Sequence, residues 1–147
     1  MKKQKPYGAA GFGPHVTIDG YNCDRKKLVD QTIVYKALNE LPAHIGMTKM
    51  TLPYVVPWKD EWAAEENGCS GFVMICESHI SIHTFVEENF FTADIYSCKG
   101  FDTEKAINYL KEAFGIQEME INILQRGTRY KRIQQQNAPK KAIKNRA

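Results

Sequence analysis

No apolar run in this chain approaches the ~20 residues that a helix needs to cross a bilayer, so a membrane-spanning helix is excluded as its organising element. The four cysteines, Cys23, Cys69, Cys76 and Cys98, form no C-x-x-C pair. That removes a zinc ribbon, and four such residues in 147 are too few and too scattered for a disulfide framework. They are expected to be thiols, and most buried thiols act as small apolar groups. Acids are missing from residues 126–147, where eight of the twenty Lys and Arg gather. The net charge of +3 therefore hides a mildly acidic body and a basic tail. Clustered Lys and Arg attract phosphates without reading sequence, but neither interleaved aromatics nor a nucleic-acid reader motif accompanies them. The tail reads as solvated chain, and no nucleic-acid partner is expected. Internal repeats are absent. The start, Met1-Lys2-Lys3, carries the charge of a secretory signal, but Tyr7–Gly13 is too short and too weakly apolar to be its core. A cytoplasmic protein is expected.

What is present is one domain's worth of core, with 43% hydrophobic residues. His15–Asp19 alternates as a half-buried strand does. Asp24 is a helix N-cap, and Val34, Ala37, Leu38 and Leu41 form one apolar stripe that Pro42 closes. Met47–Leu52 reads as a second strand. Residues 53–69, with Pro53, Pro57, Trp58, Trp62 and the Glu65-Glu66-Asn67-Gly68 turn signal, read as a loop or lid. Gly71–Ile75, His79–Phe85 and Phe90–Cys98 are three further strands. Asp102 caps a helix whose Ala106, Ile107, Leu110 and Phe114 face inward and which Gly115 ends. Met119, Ile121 and Ile123 alternate in a last strand. The expected class is α+β, a two-layer sandwich with a mostly antiparallel sheet covered by two helices.

The chemistry concentrates in Cys76-Glu77-Ser78-His79-Ile80-Ser81-Ile82-His83-Thr84. Side chains alternate faces along a strand, so Ile80 and Ile82 point one way and His79, Ser81 and His83 the other. A metal site is not expected. Histidines four apart converge on a helix, whereas on a strand His79 and His83 stand ~13 Å apart. Ordinary histidines on a wet strand face are the plain alternative. A second strand-like run, Ala93-Asp94-Ile95-Tyr96-Ser97-Cys98, ends on a cysteine.

Glu77–Thr84 resembles the self-cleavage motif of the small prokaryotic S-adenosylmethionine decarboxylases. Gly68-Cys69-Ser70-Gly71 resembles the Gly-x-Ser-Gly that precedes that motif, and Ala93–Cys98 is similar to its Asp-x-x-x-Cys strand. His15–Cys23 is similar to its opening strand. The resemblance implies an N-terminal extension over residues 1–13, a self-cleaving pyruvoyl-dependent decarboxylase domain over 14–126, and a basic tail over 127–147.

The resemblance implies a proenzyme in which the Ser78 hydroxyl attacks the carbonyl of Glu77 and turns that amide into an ester. His83 would be the processing base that removes the serine α-proton, and Ser70 would assist by hydrogen bonding. The ester would break by elimination. Hydrolysis would then leave a pyruvoyl group at position 78, a β chain of residues 1–77, and ammonia. That ketone would form a Schiff base with the substrate's amine, and Cys98 would protonate the α-carbon after carbon dioxide leaves. A thiol is acidic enough to give up a proton near working pH. Glu87, four residues past His83, matches a family carboxylate near the substrate. His83 is expected to reach Ser78 because both leave the same polar face.

Two departures from the family pattern stand out. Phe85-Val86-Glu87 replaces Trp-Pro-Glu after His-Thr. The His-x-Phe segment before Gly-x-Ser-Gly, whose ring stacks on adenine, is replaced by Pro53–Asn67, where Tyr54, Trp58 or Trp62 could offer a ring. The expected function is decarboxylation of S-adenosylmethionine to the aminopropyl donor for spermidine biosynthesis, by a homodimer with pockets near the interface. Two alternatives remain. One is decarboxylation of ornithine or arginine on the same scaffold, for which Asp60, Glu61, Glu65 and Glu66 would suit a cationic substrate. The other is a non-processing regulatory homologue.

Overall fold

The computed structural model describes residues 12–62 and 67–130; the expectations about residues 1–11, about the tail beyond 130, and about Glu65 and Glu66 lie outside them. In chain order the elements are β1 (Gly13–Tyr21), α1 (Arg25–Val29), α2 (Gln31–His44), β2 (Tyr54–Trp58), β3 (Gly68–Ile75), β4 (Ser78–Phe85), β5 (Phe90–Ser97), α3 (Thr103–Phe114) and β6 (Glu118–Arg126). The six strands form one sheet in the order β2-β3-β4-β5-β1-β6. Every neighbouring pair is antiparallel.

All three helices lie on one face, and the strand period decides which side chains they cover. Val16 and Ile18 of β1, Val73 and Ile75 of β3, Ile80 and Ile82 of β4, and Phe91, Ala93 and Ile95 of β5 are buried against Leu28, Leu38, Leu41, Leu110 and Phe114. Phe91 and Phe114 meet ring to ring, with centroids 4.6 Å apart. Each of the Val, Ile, Leu and Phe side chains contributes about 1.5–3 kcal/mol on full burial. The α+β sandwich expected from the sequence is the fold found.

Four details differ from the sequence reading, each for a local reason. Asp24 caps only the five-residue α1, because its carboxylate accepts from Lys26 N–H. Asp30 then does the same for Thr32 N–H and starts α2 as a separate helix, so three helices cover the sheet instead of two. Pro42 does not close α2, which runs on to His44. Met47–Leu52 is not a strand: it makes one bridge, Lys49 to Ile75, and lends Thr48 O and Met50 N–H to the end of β3. The missing strand is β2, inside the expected loop. Two valines and two aromatics favour the extended form there, and Pro57 is tolerated because β2 is an edge. α3 has the expected caps, with Asp102 accepting from Lys105 N–H and Gly115 in the left-handed conformation at φ 62°.

Among the described residues, the opposite sheet face carries no helix. Across it run Tyr54, Ser70, Phe72, Met74, His79, Ser81, His83, Thr92, Asp94, Tyr96, His15 and Thr17, in register from strand to strand. Phe72 and Met74 are 46% and 44% exposed there.

Candidate active site

The registers place the chemically distinctive side chains at the two ends of β4. At its start, Ser78 pairs with Ser97 of β5, and Cys98 follows directly. The Cys98 backbone N–H donates a 3.3 Å hydrogen bond to the Glu77 carbonyl oxygen. Ser78 sits at φ 131°, a conformation that side-chain-bearing residues rarely adopt. Holding it costs on the order of 1–3 kcal/mol. The Cys98 side chain is buried while that of Ser78 is half-buried. An N–H aimed at the carbonyl before a strained serine can stabilise negative charge on that oxygen if the hydroxyl attacks.

At the far end, His83 pairs with Ser70 of β3 on one side and Thr92 of β5 on the other. His83 Nδ1 and Ser70 Oγ are 2.9 Å apart. Both groups lie on the open face, half-buried. Thr84, the next residue, points into the core and is fully buried. Its hydroxyl donates to Leu28 O at 2.7 Å and accepts from Cys69 N–H at 2.8 Å. Thr84 therefore fixes the frame from which His83 and Ser70 project. The glycines of Gly68-Cys69-Ser70-Gly71 act by absence: a Cβ on Gly68 would collide with the Thr84 carbonyl, and one on Gly71 would press into Leu38 and Val55.

The reach expected between Ser78 and His83 is not met within one chain. They lie five residues apart on one strand, about 16 Å at ~3.3 Å per residue, and the odd spacing puts Ser78 in phase with the inward Ile80 and Ile82 instead of on the face of His83. The chain thus holds two separate groups, Glu77–Ser78 with Cys98 and Ser70 with His83, at opposite ends of β4.

Glu87, beyond the His83 end, lines a cavity of about 480 Å³ with Asp60, Glu61, Trp62 and Asn67. Asn67 is buried and holds the loop through its side-chain oxygen, which accepts from Asp60 N–H at 2.8 Å. The three aromatic candidates separate clearly. Tyr54 leans on Phe72. Trp58 donates its indole N–H to Thr84 O at 3.2 Å and meets the Phe85 ring. Trp62 is 91% exposed and is the ring that faces the cavity.

The rest of the open face is a polar network. His15 Nε2 lies 2.9 Å from Asp94 Oδ1, whose other oxygen accepts from Ser81 Oγ at 3.4 Å. Arg126 stacks over Tyr96 at 4.3 Å. All four cysteines stand as thiols, and burial pushes the Cys23 thiol up to about 11, which keeps it protonated and inert. Among the described residues, no three His, Cys, Asp or Glu side chains are placed to hold a metal ion, and no helix is long and apolar enough to cross a membrane.

The sequence reading named the Ser78, His83, Cys98, Glu77, Ser70 and Glu87 side chains but assigned nothing to the Cys98 N–H or to Thr84. The N–H could not be read because a backbone donor takes its role from how the end of β5 meets Glu77. Thr84 carried a signal, a polar residue in phase with the buried Ile80 and Ile82.

A family model described as S-adenosylmethionine decarboxylase matches residues 14–127. The S-adenosylmethionine decarboxylase proenzyme of Acidithiobacillus ferrooxidans is 32% identical over 119 residues, covering 79% of this chain and 83% of that one. That of Pyrococcus furiosus is 29% identical over 117 residues, 79% of each. Among solved structures, the adenosylmethionine decarboxylase of Aquifex aeolicus superposes with a TM-score of 0.68 at 24% identity, covering 81% of this chain and 93% of that one, a likeness of fold.

Proposed function

This chain belongs to the S-adenosylmethionine decarboxylase family, and from that premise we propose that it is a self-processing, pyruvoyl-dependent decarboxylase of S-adenosylmethionine that works as a homodimer. The observation that carries the reading is the pairing of a strained Ser78 with a Glu77 carbonyl that already accepts the Cys98 N–H.

In the processing step, the Ser78 hydroxyl oxygen bonds to the Glu77 carbonyl carbon and the Glu77–Ser78 C–N bond breaks, leaving an ester and a free amine. The Cys98 N–H holds the oxygen on which charge develops, and relief of the Ser78 backbone favours departure from the starting geometry. His83 then removes the Ser78 α-proton. The Cβ–O bond breaks, Glu77 leaves as a carboxylate, and water replaces the amine as ammonia. The residues present fit a serine-derived ketone, since Ser78 is half-buried at a strand end, paired with Ser97 next to Cys98. That ketone supplies an electron sink which engages the substrate's amine and takes up the electrons released with carbon dioxide. Cys98 is the proton donor to the substrate's α-carbon.

Because His83 stands about 16 Å from Ser78 on its own strand, we assign the base to a second copy. Two chains stacked through their open sheet faces about a two-fold axis would bring the Ser70–His83 end of one to the Ser78–Cys98 end of the other. The open face supports this, with Tyr54, Phe72 and Met74 exposed on β2 and β3 beside the polar residues of β4 and β5. Glu87 and Trp62 would travel with His83 into the same composite site. There Trp62 supplies a face for the adenine and Glu87 an acceptor for a hydroxyl.

Denaturing mass spectra after cyanoborohydride reduction test the reading, with S-adenosylmethionine, ornithine or arginine added separately. Two chains split at Glu77–Ser78 are expected, with an adduct on the second chain from S-adenosylmethionine only, and Ser78→Ala should stay whole. A single full-length mass would overturn self-processing. An adduct from ornithine or arginine alone would overturn the substrate.

A further inference from the structure

The two edges of the sheet are finished differently. β2 is short and carries Pro57, which offers no N–H to a neighbour. β6 is nine residues long, contains no proline, and has the uncharged centre Ile121-Asn122-Ile123-Leu124. It pairs with β1 on one side, and among the described residues no strand pairs with its other side. Ile121 and Ile123 lie opposite Ile18 and Val16 of the core, yet the helix layer leaves them 39% and 43% exposed.

We propose that β6 pairs antiparallel with β6 of a second copy, about a two-fold axis through Asn122, and joins two sheets into one of twelve strands. The strand's own sequence is complementary to itself in this register. Glu118 falls opposite the partner copy's Arg126 at both ends, Ile121 falls opposite Ile123, and Asn122 meets its own equivalent. Cross-strand neighbours of this kind have Cβ atoms ~4.5–5.5 Å apart, so opposite charges attract and the isoleucines cover one another. A shift of two residues separates Glu118 from Arg126, and the shift that sets Glu120 opposite Arg126 instead moves Ile121 from Ile123 to Gln125. The Glu118 carboxylate accepts from the exposed Asn22 amide at 3.0 Å, and Arg126 can keep its seat over Tyr96 from the end of the strand. The edge is a different surface from the open sheet face, so this pairing is independent of the face-to-face pairing; the two together make a tetramer.

Native mass spectrometry of the full chain tests the proposal. The wild type is expected as four chains, Glu118→Arg or Arg126→Glu as two, and the double variant E118R/R126E as four again. Restoration by the double swap is specific to this register, since general damage to the strand would accumulate. Asn122→Cys should form an interchain disulfide under mild oxidation where the wild type does not. If face pairing fails but edge pairing holds, the wild type would be two chains and each single charge variant one. An assembly indifferent to both charges, or a double swap that does not restore it, would overturn the proposal.

Discussion

The backbone N–H of Cys98 donates a 3.3 Å hydrogen bond to the carbonyl oxygen of Glu77, so one residue would serve the proposed cleavage site with its main chain and the substrate with its side chain. The two roles separate by mutation. Cys98→Ala keeps the N–H and should still yield two chains, while decarboxylation falls about 10²–10⁴-fold, the usual worth of a positioned proton donor. Mass spectra read the first effect and carbon dioxide release the second. Loss of cleavage in this variant would give the thiol a processing role.

Thr84 ties β4 to β3 and to the end of α1 from inside the core. Thr84→Val keeps the shape and leaves Cys69 N–H and Leu28 O without that hydroxyl. A loss of about 1–3 kcal/mol per unsatisfied group is expected from denaturant unfolding. Self-cleavage should slow as well, because Ser70 and His83 flank these anchors. A normal cleavage rate in the destabilised variant would show that the anchor serves the fold alone.

Trp62 offers its ring to the cavity that Glu87 lines. Trp62→Ala should cleave normally and raise KM for S-adenosylmethionine. Base stacking on an aromatic is worth about 1–3 kcal/mol, which corresponds to roughly five- to 150-fold. An unchanged KM would remove Trp62 from the site.

Asp30 starts α2, and its carboxyl is held below the ordinary aspartate value, first by the Thr32 hydroxyl and then by the Thr32 backbone N–H. A depressed folded-state value contributes stability above the unfolded-state value near ~3.9, and that stability is lost as pH falls through the folded value. Asp30→Ala should therefore cost about 1 kcal/mol at neutral pH, with the deficit shrinking below the ordinary aspartate range. Thermal melts at stepped pH read the difference, and a deficit independent of pH would assign it to causes other than the charged cap.

What could be read from the chain and what could not divide along physical lines. α3 was legible because Asp102 and Gly115 mark its ends with their own chemistry, independent of the rest of the fold. β4 was legible because Ile80 and Ile82 alternate with polar residues, so its polar face followed from the strand period. β2 was hidden because Pro57 and two tryptophans imitate a loop, and a proline is admissible there only at a sheet edge, a position set by tertiary structure. The break between α1 and α2 was hidden because Val34, Ala37, Leu38 and Leu41 continue one apolar stripe past Asp30. In the site, the side chains were legible by type, but position 78 is in phase with the inward Ile80 and Ile82, so Ser78 and His83 share neither a face nor an end of β4. Five residues of strand keep Ser78 and His83 apart, and the second copy proposed to close that distance is written in no local motif.

Cleavage in mixed dimers tests that account most directly. Ser78→Ala has the base but nothing to cleave, and His83→Ala has the serine but no base, so each should remain a single chain when made alone. Co-expressed with different tags, they should form dimers in which His83 of one copy meets Ser78 of the other. The His83→Ala chain, and only that chain, is expected to split between Glu77 and Ser78. No cleavage in the mixture, with mixed dimers recovered through both tags, would contradict it.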